Sequence, residues 1–201
     1  MNTSIIPGIT FNFFITIILI FFFVGCSDNN PMDNSTNSSD EDYPEYDISQ
    51  LLGYYSGAGL SYQISNNTVI FTTDDLPNHT SPYWPENHPL HAAYDGANSN
   101  WNQNPNIISP QNITLTMTLK PKKSNGNNPT QLGPIGISRN GVVFYNQYAG
   151  PNNQPLTNEI NSFDQWLGHP QQFGQYHYHQ EPLYLTEEFG EDVFLGLLSD
   201  G

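Results

Sequence analysis

Apolar and polar residues alternate along several short stretches from residue 48 onward. The clearest stretch is 112–119, where Ile113, Leu115, Met117 and Leu119 are separated by threonines. Because successive side chains of a strand point to opposite faces, this pattern predicts a half-buried β-strand.

Two further pairs of stretches read as hairpins. Residues 60–64 and 69–73 flank a polar turn, and residues 135–138 and 142–146 surround Asn140-Gly141, a strong short hairpin signal. Helical periodicity is confined to single turns near 158–163 and 186–198. The pattern predicts one all-β domain, a sandwich or partly open barrel, with a long Pro/Asn-rich loop over 76–105.

The N-terminus reads as a targeting segment. Residues 13–24 form an apolar run interrupted only by Thr16, which is shorter than the roughly 20 residues that span a bilayer. The run leads into Phe23-Val24-Gly25-Cys26, typical of a bacterial lipobox although Phe23 replaces the usual leucine and residues 1–12 lack Lys and Arg. We predict a signal peptide over 1–25 and lipid attachment at Cys26. The alternatives are an uncleaved anchor and simple secretion.

Composition separates a tether from the domain. Residues 26–47 hold seven of the 19 acidic residues and few apolar ones, which predicts a disordered acidic tether before a domain at 48–201. The formal net charge is −15, with only four Lys and Arg, so a nucleic-acid partner is excluded. Contact with a membrane is expected through the lipid, as in a protein of the bacterial cell envelope. Cys26 is the only cysteine, so no disulfide can form within the chain.

The strongest chemical signal is histidine. Three of the six histidines, His169, His177 and His179, lie within eleven residues. In a strand His177 and His179 share one face, and breakers between 168 and 174 predict a turn that brings His169 antiparallel to them. If His169 pairs with Gln175, it lies diagonal to His177, about 7–8 Å away. Three imidazoles with an open position suit zinc, copper or iron.

Other residues near this segment are candidates for supporting roles. Acidic side chains could orient an imidazole or act as a base, and tyrosines could stabilise developing charge. These candidates are Asp164, Glu181, Tyr176 and Tyr178. The alternative is a purely structural network of histidines and tyrosines in a half-buried strand.

The loop over 76–105 carries further candidates. Its histidines, His79, His88 and His91, either supply a fourth ligand or are solvated. Its aromatic residues Trp84 and Trp101 either stack on sugar rings or cap the edge of the core.

These motifs resemble those of the YHYH-domain family of mostly bacterial secreted or envelope proteins. The resemblance covers about 104–201 and rests on Gly168-His169-Pro170, Gly174 to His179, Pro182, the segment 135–145 and Phe163-Asp164. Many members have cysteines where this chain has Gln165, Trp166, Leu183 and Tyr184, so a disulfide implied by the family is missing. Members usually continue beyond the position of Gly201, which implies an incomplete domain. The resemblance brings no established activity.

Three functions remain open at this point. The favoured one is a metal-binding envelope lipoprotein that uses His169, His177 and His179, in a binding rather than a catalytic form. The second is a carbohydrate-binding or adhesive surface module, and the third is a structural domain without metal.

Overall fold

The computed structural model describes residues 46–199. Among these residues, three short 3-10 helices span Ile48–Tyr54, Glu159–Ser162 and Gln172–Gly174, and one α-helix, α1, spans Leu183–Phe189. The strands are β1 (Leu60–Ser65), β2 (Thr68–Thr73), β3 (Ile113–Thr118), β4 (Gly136–Ser138), β5 (Val143–Phe144), β6 (Tyr148–Ala149), β7 (Gln154–Pro155), β8 (Gly168–Pro170), β9 (Tyr176–Tyr178) and β10 (Gly196–Leu198).

The first sheet has the order β1-β2-β3 and is antiparallel throughout. The β1–β2 turn consists of Asn66 and Asn67, and Asn66 has φ +53, a conformation that asparagine tolerates. Val69, Phe71 and Thr73 of β2 point inward and are buried. The predicted hairpin and the predicted Thr-rich strand are both confirmed.

The second sheet has the order β10-β4-β5-β9-β8, and only the β5–β9 pair is parallel. The β4–β5 connection runs through Asn140 and Gly141, whose φ of +93 explains the glycine. This hairpin is also confirmed. β6 and β7 form a separate two-stranded antiparallel ribbon.

The two larger sheets share one apolar core. Its buried members are Ile48, Leu52, Val69, Phe71, Met117, Leu119, Ile137 and Leu197. Val69 and Phe71 belong to the first sheet, whereas Ile137 and Leu197 belong to β4 and β10. Residues 46–199 are therefore β-rich as predicted, although their strands do not close into a barrel and α1 is longer than the single turn expected near it.

The long loop after β2 is packed rather than solvated. Between Asp74 and Asn112 its only strand-like feature is an isolated bridge from Ser81 to His91. Tyr83, Trp84 and Ile108 of this loop are nevertheless buried against Val142 and the tyrosines of β9. The loop thus covers one face of the second sheet.

Within residues 46–199, no helix has the length and apolar character needed to cross a membrane. The predicted signal peptide, Cys26 and the tether as far as residue 45 lie outside the described residues.

Candidate metal centre

The β8–β9 hairpin positions the histidine cluster. His169 lies directly opposite His177, flanked by the pairs Gly168–Tyr178 and Pro170–Tyr176. The predicted pairing of His169 with Gln175 is therefore wrong by two residues. The connection takes up residues 171–175, closed by the Gln171 N–H donating to the Gln175 carbonyl at 2.9 Å. Because side chains alternate with a period of two, the shift keeps His169 on the predicted face.

The three imidazoles converge through the same ring atom. Nε2 of His169 lies 3.1 Å from Nε2 of His177, which in turn lies 3.1 Å from Nε2 of His179. Glu159 Oε1 lies 3.3 Å from Nε2 of His169. These four potential ligand atoms are all within 4.8 Å of one another. The fourth member comes from the start of the Glu159–Ser162 turn.

The opposite ring nitrogens are held by oxygen acceptors. His177 Nδ1 faces the Gln175 carbonyl at 3.2 Å, and His179 Nδ1 faces the Asn146 carbonyl. A carbonyl can only accept, so both Nδ1 atoms carry the proton.

Ser162 fixes the third tautomer. Its hydroxyl donates to the Glu159 carbonyl at 2.7 Å and must therefore accept from His169 Nδ1, also at 2.7 Å. In the neutral rings of His177 and His179, Nε2 is left with a lone pair, and both atoms lie within 4.8 Å of Nε2 of His169 and of the Glu159 carboxylate. The lone pairs of His177 and His179 repel each other unless a proton or a metal cation lies between the donor atoms.

The surroundings of the cluster favour the deprotonated side chains that a metal requires as ligands. Burial lowers the pKa of His177 well below its ordinary value, and the neighbouring His169 and His179 lower it further. Burial also lowers the pKa of His179, and contact with His169 lowers that of Glu159. His177, His179 and Glu159 are thus deprotonated at neutral pH, so a metal displaces no proton from them.

The other face of β9 is built differently. Tyr176 and Tyr178 point away from the imidazoles and are fully buried. The Tyr176 hydroxyl lies 2.8–2.9 Å from both carboxylate oxygens of Asp164, and Ser81 Oγ donates to Asp164 at 2.6 Å. Burial raises the pKa of Asp164 to about 6 against these hydrogen bonds. Asp164 and the two tyrosines therefore support the strand from behind the cluster.

The structure places the remaining acidic candidate away from the cluster. Glu181 is exposed and accepts a hydrogen bond from Thr186. The carboxylate that joins the imidazoles is Glu159, which sequence reasoning missed. It lies ten positions before His169, and only the fold brings its turn next to β8.

The loop histidines do not join the cluster. His79 is buried, with Nε2 2.9 Å from the Tyr178 hydroxyl, so the expectation of a solvated side chain is wrong for this residue. His88 stacks on Trp84 with ring centroids 3.9 Å apart, and His91 Nδ1 lies 2.7 Å from the Trp84 carbonyl. Tertiary packing of the loop, rather than metal, accounts for these positions.

The two tryptophans proposed for sugar stacking are occupied within the fold. Trp84 is 5% exposed, and Trp101 stacks on Tyr94 with ring centroids 4.3 Å apart. Trp84 therefore offers no exposed ring, and one face of the Trp101 ring is covered by Tyr94.

Comparison with known families agrees with the sequence motifs. The family model described as YHYH protein matches residues 114–201. These residues form a YHYH domain. The match contains Glu159 and all three clustered histidines, whereas β1, β2 and the covering loop precede it. No curated protein and no solved structure matches the chain significantly.

Proposed function

We propose that this protein binds one divalent transition metal ion through His169, His177 and His179, with Glu159 as a fourth ligand. The observation that carries the proposal is the convergence of three Nε2 atoms and one carboxylate oxygen within 4.8 Å of one another, in rings whose Nδ1 atoms each face an oxygen.

The separations support a metal of ordinary coordination length. Four ligands about 2.0–2.1 Å from a tetrahedral ion are about 3.3 Å from one another. Three of the six pairs of donor atoms lie 3.1, 3.1 and 3.3 Å apart, and the remaining pairs lie within 4.8 Å. Three pairs therefore already have about the spacing of a tetrahedral site, and the others need to close by at most about 1.5 Å.

The donor set restricts the choice of metal. Three imidazoles and one carboxylate favour zinc, copper or iron over magnesium and calcium, which prefer oxygen ligands alone. No thiolate lies among residues 46–199, so soft-metal selection by sulfur is not available there.

Elemental analysis of the purified full chain tests the proposal. We expect about one equivalent of a single metal after exposure to zinc, copper or iron. His177→Gln should lower the affinity at least about 100-fold, because losing a ligand costs more than losing its supporting hydrogen bond. His179→Gln, at a less buried position, provides a second variant if His177→Gln fails to fold.

His91→Gln is the matched control, since His91 is an exposed histidine outside the cluster. It should bind metal like the parent. A folded parent that stays metal-free, or cluster variants that bind as tightly as the parent, would overturn the proposal.

We further propose that the domain is held at the bacterial cell envelope by a lipid on Cys26. The support is the apolar run that ends at this cysteine and the acidic segment that follows it. Expression in bacteria fed an alkyne-tagged fatty acid should label the parent chain and not Cys26→Ser. Equal labelling of both chains, or of neither, would count against lipidation at this residue.

A further inference from the structure

The metal cluster opens onto a cavity of about 430 Å³ whose walls include His177, His179 and Glu159. Small-molecule pockets usually measure about 300–1,000 Å³. The cavity is therefore large enough for an organic ligand, which exceeds what a metal-storage site requires.

Charge restricts the chemistry of that ligand. Among the described residues, the lining includes no lysine or arginine, and its one carboxylate is Glu159. A bound divalent ion would outweigh the charge of Glu159 at the cluster, so a cationic ligand would be repelled there, while the rest of the described lining is uncharged. Glu159 is committed to the cluster, so no second carboxylate in the lining is left to pair with an ammonium group.

Two glutamine amides supply the hydrogen-bonding wall. Gln171 Nε2 donates to the Tyr145 hydroxyl at 2.8 Å and to Gln175 Oε1 at 2.7 Å. The Tyr145 hydroxyl also donates to Gln175 Oε1, at 3.0 Å. These bonds fix both amides. Within residues 46–199, no hydrogen bond uses Gln175 Nε2 or Gln171 Oε1, so the wall keeps one donor and one acceptor.

Aromatic and apolar groups form the rest of the wall. The Tyr145 ring stacks on His177 with centroids 4.0 Å apart, and its hydroxyl contacts both glutamine side chains. Tyr148 is 36% exposed and lines the cavity, and no ring contact involves it among the described residues. Leu132 and Pro134 add apolar surface. Neutral donors and acceptors beside aromatic rings suit a molecule that has hydroxyl groups along its edges and C–H groups on its faces.

We propose that this cavity binds a neutral saccharide of one or two rings, with Gln171 and Gln175 pairing its hydroxyls and one hydroxyl oxygen turned toward the metal. The inference rests on the proposed metal site. It places sugar recognition at the cluster instead of at Trp84 and Trp101.

The experiment uses the full chain loaded with Co²⁺, whose visible spectrum reports changes around the ion. Metal content is measured first, so a failure of the metal site is recognised before any sugar is added. D-glucose and cellobiose are then compared with D-glucuronate and D-glucosamine, by spectrum and by calorimetry. We expect the neutral sugars to change the spectrum and to bind more tightly than D-glucosamine, whose ammonium group is repelled by the ion and finds no free carboxylate in the wall.

A matched pair of variants separates the cavity wall from the metal. Gln175→Leu should keep one equivalent of Co²⁺ and weaken sugar binding about three- to tenfold, the loss for one neutral hydrogen bond. Gln63→Leu, an exposed glutamine on β1, should change neither property.

Three outcomes would overturn the inference. They are a fully loaded protein that binds no neutral sugar, tighter binding of glucosamine than of glucose, and sugar binding that Gln175→Leu does not weaken. A pull-down with insoluble cellulose is run beside the soluble sugars. Binding to cellulose would identify a polysaccharide surface as the source of the ligand, whereas binding to the soluble sugars alone would identify a free sugar.

Discussion

At the scale of single residues, the cluster depends on the groups behind its ligands. Ser162, Gln175 and Asn146 contribute one oxygen each, and each oxygen fixes the tautomer of one histidine. Two of these oxygens are backbone carbonyls, which any residue could supply. The sequence therefore predicted the three histidines, but it contained no signal for what orients them.

Ser162→Ala tests the one side-chain member of this set. It removes the acceptor for His169 Nδ1–H, so the imidazole loses its fixed orientation and tautomer. We expect zinc affinity to fall about 10- to 100-fold with the fold retained, measured by competition with a chromophoric chelator. Ser61→Ala, at an exposed position on β1, should leave affinity unchanged. Equal affinities in the two variants would show that Ser162 does not position His169.

The burial of His79 predicts that the folded protein loses stability in acid, independently of the metal cluster. Its neutral ring donates Nδ1–H to the Thr80 carbonyl and accepts from Tyr178, while the rings of Trp166, Tyr176 and Tyr184 surround it. Burial lowers its pKa to about 4. Between about pH 6.5 and pH 4 the unfolded chain binds a proton that the folded chain excludes, so stability falls as the pH falls through this window.

The contribution of His79 should appear as a difference between variants. In the presence of a chelator, the free energy of unfolding in urea is compared at pH 7 and pH 4.5. His79→Gln should lose about 2–3 kcal/mol less over this interval than the parent, because 2.5 pKa units correspond to about 3 kcal/mol. His91→Gln should behave like the parent. An unchanged acid loss in His79→Gln would contradict a buried neutral imidazole.

At the scale of elements, the alternation of side chains along β9 puts histidine on one face of the strand and tyrosines on the other. His177 faces the cluster, whereas Tyr176 and Tyr178 pack against the loop that follows β2. Asp164 ties this strand to the start of β8, since it accepts from the Tyr176 hydroxyl and from the Trp166 and Gly168 N–H groups. The structural role of the tyrosines and the proposed metal-binding role of the histidines thus belong to opposite faces of one strand.

Gly168 is a position of the β8–β9 hairpin that leaves no space for a Cβ atom. A Cβ at this residue would lie 2.4 Å from the hydroxyl oxygen and 2.5 Å from Cζ of Tyr176. Gly168→Ala should therefore push Tyr176 off Asp164 and cost about 1–3 kcal/mol, measured as the urea unfolding free energy. Metal affinity should fall as well, because β8 carries His169.

Gly126→Ala is the control for this substitution, since a Cβ there meets no atom within 4 Å. It should change neither stability nor affinity. A Gly168→Ala protein as stable as the parent would mean that the β8–β9 packing is looser than the structure indicates.

At the scale of the whole molecule, the metal cluster and the first sheet belong to one packing arrangement. Val69 and Phe71 of β2 share a core with Ile137 of β4, and β4 pairs with the strand beside β9. The residues proposed to hold the metal therefore depend on strands outside the matched family segment. Binding of metal should in turn stabilise the described domain as a unit.

Metal should raise the unfolding temperature of the parent chain. A free zinc concentration 100 times the dissociation constant adds about 2.7 kcal/mol to the folded state, if the unfolded chain does not bind. The gain should shrink as the pH is lowered through the range where free imidazoles protonate, because the ligands must be deprotonated. Thermal unfolding with zinc and with chelator measures both effects. His177→Gln should show no zinc-dependent gain, and a gain equal to that of the parent would place the stabilising ion elsewhere.

The sequence by itself determined the local hairpins, the β-rich class and the shared face of the histidines. These features depend on the two-residue period of a strand and on turn residues such as Asn140-Gly141, which act over short separations. Tertiary structure decided the register that set His169 against His177, the entry of Glu159 into the cluster and the burial of His79. The register depends on the length of the turn, and the other two depend on contacts between residues that are not neighbours in the chain. The alternation of apolar and polar residues specifies neither.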